Sequence, residues 1–171
     1  MADKSTYKVS FRRRKEGKTN YKKRLAMLKS GLPRFVVRRT NHYLIAQLVK
    51  FEPDGDKTVV HVNSKQLEKF GWKAAKKNLP ASYLTGLLAG KKAKAKGIEK
   101  AVLDIGFAMP KHGGWWASAL KGFKESGVEI AAGEKALPSE ERASGKHIEA
   151  FSKKPIAKMF EEVKEKIMQS K

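Results

Sequence analysis

The order of strand-like and helix-like segments between residues 34 and 130 constrains the fold more than any other feature of this sequence. Three segments rich in β-branched and aromatic residues come first, at residues 34–40, 43–52 and 57–64. A turn signal, Pro53-Asp54-Gly55-Asp56, separates the last two, and a link of two residues separates the first two. These three segments are therefore predicted to form an antiparallel meander.

The segments that follow alternate between the helical and the strand pattern. Residues 81–96 and 115–126 carry apolar side chains at helical spacing, whereas residues 101–107 and 128–130 are apolar runs typical of strands. The longer run has the pattern of a buried central strand. The order β-β-β-α-β-α-β predicts an α/β fold with a mixed five-stranded sheet, because strands joined through helices run parallel. The apolar positions of the two helices are Leu84, Leu87 and Leu88, then Trp116, Leu120 and Phe123.

Beyond residue 131 the pattern becomes purely helical. Residues 138–141 resemble a helix start, and residues 155–170 have the clearest amphipathic pattern in the chain. Its apolar stripe is predicted to pack on the body or on a protein neighbour, because the polar face carries glutamates that anionic lipid would repel. The stripe consists of Ile156, Met159, Phe160, Val163 and Ile167. The expected division is an arm at 1–32, a body at 33–131 and an extension at 132–171.

The chain is strongly basic, since 38 Lys and Arg against 17 Asp and Glu give a formal net charge of +21. This charge argues against acidic calcium buffers and ordinary metabolic enzymes, and favours a polyanionic partner. More than half of it lies before Thr40, where 14 Lys and Arg accompany only Asp3 and Glu16, a net charge of +12. RNA, DNA, heparin-like polymers and anionic membranes all fit a charge of this size.

The N-terminal arm, residues 1–32, is the first candidate nucleic-acid interface. Its basic runs at 12–15 and 22–24 lie beside aromatic residues, and Tyr7 lies upstream. Lys and Arg neutralise phosphates, and an exposed aromatic ring stacks on an unpaired base. Charged segments of this kind usually order only on their partner. The candidate residues are Phe11, Arg12, Arg13, Arg14, Lys15, Lys18, Asn20, Tyr21, Lys22, Lys23, Arg24 and Lys29.

Part of this arm, residues 20–31, is predicted to be a short helix. Leu25 and Leu28 are three residues apart, and Leu32 follows after four more. Gly31 and Pro33 are typical of a helix end. A helix with one thin apolar stripe and a basic remainder packs on a body through the stripe and presents its cations to phosphate.

Two other groups extend the candidate interface. Arg34, Arg38, Arg39 and Asn41 follow the basic helix and either continue its surface or pair with acids inside the body. Lys111 and His112 precede two glycines and the predicted helix at 115–126. Glycines let a backbone approach phosphate closely, and a helix N-terminus favours anions. The alternative is a tight turn with Trp115 and Trp116 both packed.

Few residues of this sequence are suited to a catalytic or metal-binding site. There is no cysteine, and the four histidines are far apart in sequence. A nuclease of ribonuclease-H-like architecture needs several carboxylates to hold two metal ions. Only Asp104 is suitably placed, and a single carboxylate is more simply a structural partner of Lys or Arg. We expect no enzyme activity and no cofactor. The absence of an apolar N-terminus or an 18-residue apolar window leads us to expect a cytosolic protein without membrane contact.

Several segments resemble the universal large-subunit ribosomal protein eighteen family. They are residues 11–25 (FRRRKEGKTNYKKRL), 34–49 (RFVVRRTNHYLIAQLV), 83–93 (YLTGLLAGKKA) and 97–106 (GIEKAVLDIG). The resemblance covers about residues 7–151. The segment FGWK at 70–73 and the C-terminal extension are similar to the archaeal type, whose eukaryotic counterpart is large-subunit protein five.

The resemblance implies a three-layer α/β/α body of ribonuclease-H-like motif, without catalytic acids. It also implies that the basic N-terminal segment and the nearby sheet surface bind 5S ribosomal RNA. The protein would help attach that RNA to the large-subunit, 23S-type ribosomal RNA in the central protuberance, beside neighbouring ribosomal proteins. The sequence is thus interpreted as a non-enzymatic, structural RNA-binding protein. The rival interpretation is a non-specific DNA-compacting chromosomal protein, and a nuclease comes third.

Overall fold

The computed structural model describes residues 8–152 and 155–170, so Asp3 and Tyr7 of the arm lie outside the described residues. Two short 3₁₀ helices, Ser64–Phe70 and Glu134–Ala136, accompany the main elements. The helices are α1 (Arg12–Lys15), α2 (Tyr21–Leu28), α3 (Leu79–Ala95), α4 (Trp115–Glu125), α5 (Glu140–Ser144), α6 (Lys146–Ser152) and α7 (Ile156–Gln169). The strands are β1 (Arg34–Arg39), β2 (Leu44–Lys50), β3 (Lys57–Asn63), β4 (Lys100–Asp104) and β5 (Glu129–Ile130).

The five strands form one mixed sheet in the order β3-β2-β1-β4-β5. β2 runs antiparallel to both β1 and β3, which confirms the predicted meander. β4 runs parallel to β1 and to β5, as expected for strands that are joined through helices. The mixed five-stranded sheet predicted from the sequence is therefore confirmed.

Helices cover both faces of the sheet, which gives the three-layer α/β/α arrangement. Alternate side chains of β1, β2 and β3 point to one face, where they are buried against α3 and α4. The rings of Phe35 on β1 and Phe123 on α4 stack with centroids 4.0 Å apart. On the opposite face, α2 lies over Val36 and Val49 and borders a cavity of about 590 Å³. The arm thus lies against the face that the main helical layer leaves open.

The long C-terminal helix α7 packs on α3 through its apolar stripe. Ile156, Phe160, Val163 and Ile167 are buried, and Met159 is half-buried against the core. The ring of Phe160 contacts that of Tyr83, with centroids 5.2 Å apart. Packing on the body, one of the two outcomes predicted for this stripe, is the one observed. None of the helices within 8–152 and 155–170 has the length and apolarity that crossing a membrane requires.

Two predicted strands end earlier than expected. β3 ends at Asn63, because Ser64 begins a 3₁₀ helix that runs to Phe70 and is followed by Gly71 with a φ of +98°. The predicted strand 101–107 is wrong in its last three residues, because β4 ends at Asp104. Gly106 turns the chain with a φ of +64°, and its amide donates a hydrogen bond of 2.8 Å to the Asp104 carboxylate. Phe107 consequently leaves the sheet and is 57% exposed.

Candidate nucleic-acid interface

The arm forms two short helices that present cations to solvent. Asn20 caps α2, since its side chain accepts a hydrogen bond of 3.1 Å from the Lys23 amide. Neither α1 nor α2 contains a buried residue. The exposed predicted cations are Arg12, Arg13, Arg14, Lys15, Lys18, Lys22, Lys23 and Lys29. Residues 12–15 and 21–28 are helical, and α2 lies against the body.

The two aromatic residues that the sequence singled out lie side by side. The rings of Phe11 and Tyr21 are 5.0 Å apart between centroids and inclined by 47°. Phe11 is 69% exposed, so one ring is open to solvent next to the basic helices. An exposed ring among cations is the arrangement that single-stranded RNA recognition uses, since the ring stacks on a base while the cations contact phosphates.

A chain of alternating charges joins the arm to the sheet. Both terminal guanidinium nitrogens of Arg24 on α2 donate to the carboxylate of Asp56, at 2.7 and 2.8 Å. Asp56 also accepts from Arg34, at 2.5 Å. Arg34 in turn donates to Asp104 at 3.0 Å, and Asp104 accepts from Arg38 at 2.9 Å. Three arginines and two aspartates therefore connect α2, the β2–β3 turn, β1 and β4.

The hydrogen bonds of this network shift the pKa values of two of its groups. The hydrogen bond from Arg24 holds the pKa of the Asp56 carboxyl below its ordinary value. The same hydrogen bond raises the pKa of Arg24. Both groups therefore stay charged at neutral pH, and the side chains are only 28% and 25% exposed, so solvent screens the pair less than a fully exposed one.

The same ion pair determines which side of α2 faces the sheet. Arg24 and Met27, three residues apart, line the cavity above the sheet. Leu25 is instead 59% exposed and Leu28 is only half-buried. The predicted packing stripe of Leu25, Leu28 and Leu32 is therefore wrong. The physical reason is that the charged contact to Asp56 turns the helix so that Arg24 points inward.

The arginines of β1 separate into two groups. The side chains of Arg34 and Arg38 pair with carboxylates, which is the second of the two alternatives that the sequence left open. The Arg34 side chain is only 6% exposed. Arg39 is exposed and lies near Lys111 and His112, because all three line one cleft at the end of β1. The carbonyl of Asn41 accepts a hydrogen bond of 3.0 Å from Lys77.

The carboxylate that a nuclease would need is fully engaged in structure. Asp104 is 6% exposed and accepts hydrogen bonds from Arg34, Arg38 and the Gly106 amide. Its structural role, expected from the sequence, is confirmed. The pairing of Asp56 with Arg24, by contrast, was not predicted, because an acid in a turn between strands has no pattern that points to an arginine 32 positions away.

Comparison with known proteins decides the family. A family model described as ribosomal large subunit proteins 60S L5 and 50S L18 matches residues 5–100. A large ribosomal subunit protein uL18 from Korarchaeum cryptofilum is 49% identical over 154 residues, which cover 90% of this chain and 79% of the relative. The chain belongs to the uL18 family. The uL18 protein of Methanoregula boonei is 48% identical over 165 residues, which cover 95% of each chain.

Membership in the uL18 family makes the chain a structural constituent of the large ribosomal subunit and a ribosomal RNA-binding protein rather than an enzyme. Its location is therefore the ribosome in the cytoplasm. Both uL18 relatives are archaeal, in agreement with the archaeal type suggested by FGWK and the C-terminal extension.

Proposed function

We propose that this uL18 chain binds 5S ribosomal RNA through its N-terminal arm. It thereby helps attach that RNA to the large-subunit ribosomal RNA in the central protuberance. The observation that carries the proposal is the arm itself, which presents eight exposed cations and the exposed ring of Phe11. The Arg24–Asp56 pair holds the arm against the sheet, so its cations are displayed in a defined arrangement.

In this proposal the residues of the arm contribute to RNA binding in three different ways. The exposed Lys and Arg of α1 and α2 neutralise phosphates, which supplies most of the affinity. Phe11 and Tyr21 stack on unpaired bases, which restricts binding to RNA with accessible single-stranded segments. Asn20, Arg24, Arg34 and Arg38 act through the structure of the arm and the sheet, because their side chains cap a helix or pair with carboxylates.

We also propose that the chain is divided into three parts. Residues 1–32 form the RNA-binding arm, residues 33–131 the body that holds it, and residues 132–171 an extension. The extension packs on the body through α7. Its outer surface remains available for neighbouring ribosomal proteins.

Competition between nucleic acids tests the proposed function against the chromosomal alternative. A 5S ribosomal RNA transcript should displace duplex DNA of equal length at equal salt, because the arm combines charge with stacking that a closed duplex does not offer. The logarithm of the association constant should fall with the logarithm of salt by roughly 0.7 per phosphate neutralised on single-stranded segments. Fluorescence anisotropy measures both quantities. Equal affinity for the two nucleic acids would favour a DNA-compacting protein.

Replacing Asp56 tests whether the arm is held in place for binding. Asp56→Asn removes a negative charge near the RNA, so a purely electrostatic account predicts tighter binding. We expect binding of 5S RNA to weaken roughly tenfold instead, because losing the charge-assisted bonds to Arg24 frees α2 and its cations. Isothermal titration calorimetry should then record a larger entropic penalty on binding.

The matched control is Asp54→Asn in the same turn, which changes the charge equally. Asp54 is exposed and forms no ion pair among the described residues. Its replacement should leave 5S RNA affinity unchanged or slightly higher. Equal behaviour of the two variants would contradict the role given to Asp56.

A further inference from the structure

A second basic cleft lies at the carboxyl ends of β1 and β4, apart from the cavity beneath the arm. It has a volume of about 610 Å³ and is bordered by the start of α4, the segment before α3, and helices α5 and α6. Residues 39, 77, 111 and 142 bring cations to it from four separate parts of the chain. The carboxyl edge of a mostly parallel group of strands, where helices begin, is a usual place for anionic ligands.

The charge of the cleft is uniformly positive. Arg39, Lys77, Lys111 and Arg142 line it, together with His112 and His147, whereas none of its lining residues is Asp or Glu. These four cations form no ion pair within residues 8–152 and 155–170. Lys77 donates to the Asn41 carbonyl, and the other three are exposed. Four cations that converge without a carboxylate repel one another unless an anion joins them.

The backbone adds hydrogen-bond donors to this charge. Helix α4 has 11 residues and begins after Gly114, which supplies no side-chain cap. The amides of its first turn therefore lack intrahelical acceptors, and the helix dipole favours an anion there. The chain is closely packed at Gly114, since a Cβ there would lie 2.9 Å from the Lys111 carbonyl oxygen and 3.4 Å from the Trp116 indole nitrogen.

Trp116 supplies an independent indication of a ligand. Its side chain is buried, with the residue only 7% exposed, and its indole N–H donates to no acceptor in the described part of the chain. A buried donor without a partner costs roughly 1–3 kcal/mol. This N–H lies beside Gly114 at the same helix end as the free amides. Both kinds of donor belong to residues that line the cleft.

We propose that this cleft binds a phosphate group of the RNA backbone, as a second contact separate from the arm. The inference rests on the proposed function in so far as the phosphate belongs to ribosomal RNA. Lys111 and Arg142 neutralise the phosphate, while the amides at the start of α4 and the indole N–H of Trp116 donate to its oxygens. A phosphate group has enough oxygens to accept hydrogen bonds from several N–H donors that point to one place. The carboxylate of an acidic side chain has only two oxygens and pairs with fewer of them.

The direct test is a titration of the full-length, ¹⁵N-labelled chain with pyrophosphate, followed by NMR. The indole signal of Trp116 and the amides of residues 115–117 should shift saturably. The indole of Trp72 donates to the Ala75 carbonyl at 3.2 Å and should not move, so it serves as an internal control. Absence of shifts at α4 would overturn the proposal. Tighter binding of oligoglutamate than of pyrophosphate at the same signals would overturn it in favour of an acidic protein segment.

RNA binding by charge variants identifies the source of the phosphate. The double variant Lys111→Gln/Arg142→Gln should bind 5S RNA, or a transcript of the large-subunit RNA region that contacts it, roughly tenfold more weakly than the wild type. The control Lys124→Gln/Lys158→Gln removes the same charge at two exposed positions outside the cleft. The transcript that is weakened is the one whose phosphate the cleft holds.

The two proposals fail in different ways. Unchanged affinity of the cleft variant for both transcripts, relative to the control variant, would overturn the second contact while 5S binding by the arm persists. Failure of the wild type to prefer 5S RNA over DNA would instead remove the proposed function and leave the pyrophosphate titration unaffected.

Discussion

Deletion of residues 1–30 is expected to abolish binding of 5S RNA while the body stays folded. The deletion removes 11 Lys and Arg together with Asp3 and Glu16, so the shortened chain keeps a net charge of +12 out of +21. Charge alone would therefore preserve much of the affinity. We expect a loss of at least about a hundredfold, because the deleted cations and rings are those that contact phosphates and bases in our proposal.

The body should survive this deletion because α1 and α2 contribute no buried residue to the core. Asp56 loses Arg24 but keeps Arg34 as a partner. Circular dichroism should record an unchanged β-sheet and a thermal midpoint within a few degrees of the wild type, and filter binding measures the affinity. Tight 5S binding by the shortened protein would contradict the assignment of the arm.

Substitutions in the full-length chain distinguish an effect of the arm from an effect of total charge on RNA binding. Arg12→Gln, Arg13→Gln and Arg14→Gln together remove three charges from α1. The control Lys124→Gln, Lys135→Gln and Lys158→Gln removes three charges from exposed positions outside the arm. The arm variant should lose both affinity and part of its salt dependence, whereas the control should change little. Equal losses would mean that the protein responds only to net charge.

The second large effect is expected at the crossing of α3 and α4. A Cβ on Gly86 would lie 1.9 Å from the carbonyl oxygen of Ala119 and 2.7 Å from its carbonyl carbon. A Cβ on Gly122 would likewise lie 2.1 Å from the carbonyl oxygen of Tyr83. The obstructing atoms belong to the backbone, so no rotamer change relieves the clash. Gly86→Ala must separate the two helices and disturb the core between them and the sheet.

The free energy of unfolding should accordingly fall by about 3 kcal/mol or more in Gly86→Ala. The sign of this change in the free energy of unfolding is informative, since replacing glycine by alanine inside an unobstructed helix stabilises the helix by about 1 kcal/mol. Urea denaturation followed by circular dichroism measures the change. Gly133→Ala is the control, because Gly133 has an ordinary φ of −71° and open space around its Cβ position. A Gly86→Ala variant as stable as the wild type would disprove the close crossing.

Periodic features of the sequence led to correct predictions. The β-branched and aromatic runs within residues 34–64, with the turn signal between them, predicted the meander. The stripe from Ile156 to Ile167 predicted the face of α7 that packs. Apolar periodicity predicts the buried face of an element because side chains at regular spacing lie on one face of a helix or strand. Burial of that face is the dominant stabilising effect in folding. The family resemblance of residues 11–25 and 34–49 was equally local, and comparison with uL18 relatives confirmed it.

The sequence by itself thus determined the order of the elements, the mixed sheet and the concentration of charge before Thr40. Only the tertiary structure decided which charges remain available to a partner. Arg24 and Asp56 are 32 residues apart, and Arg34 and Asp104 are 70 apart, so nothing in their local sequence links them. Arg39, Lys111 and Arg142 likewise converge only in the fold. Ion pairs between distant residues have no periodicity along a chain, and they form where packing of the apolar faces brings opposite charges together.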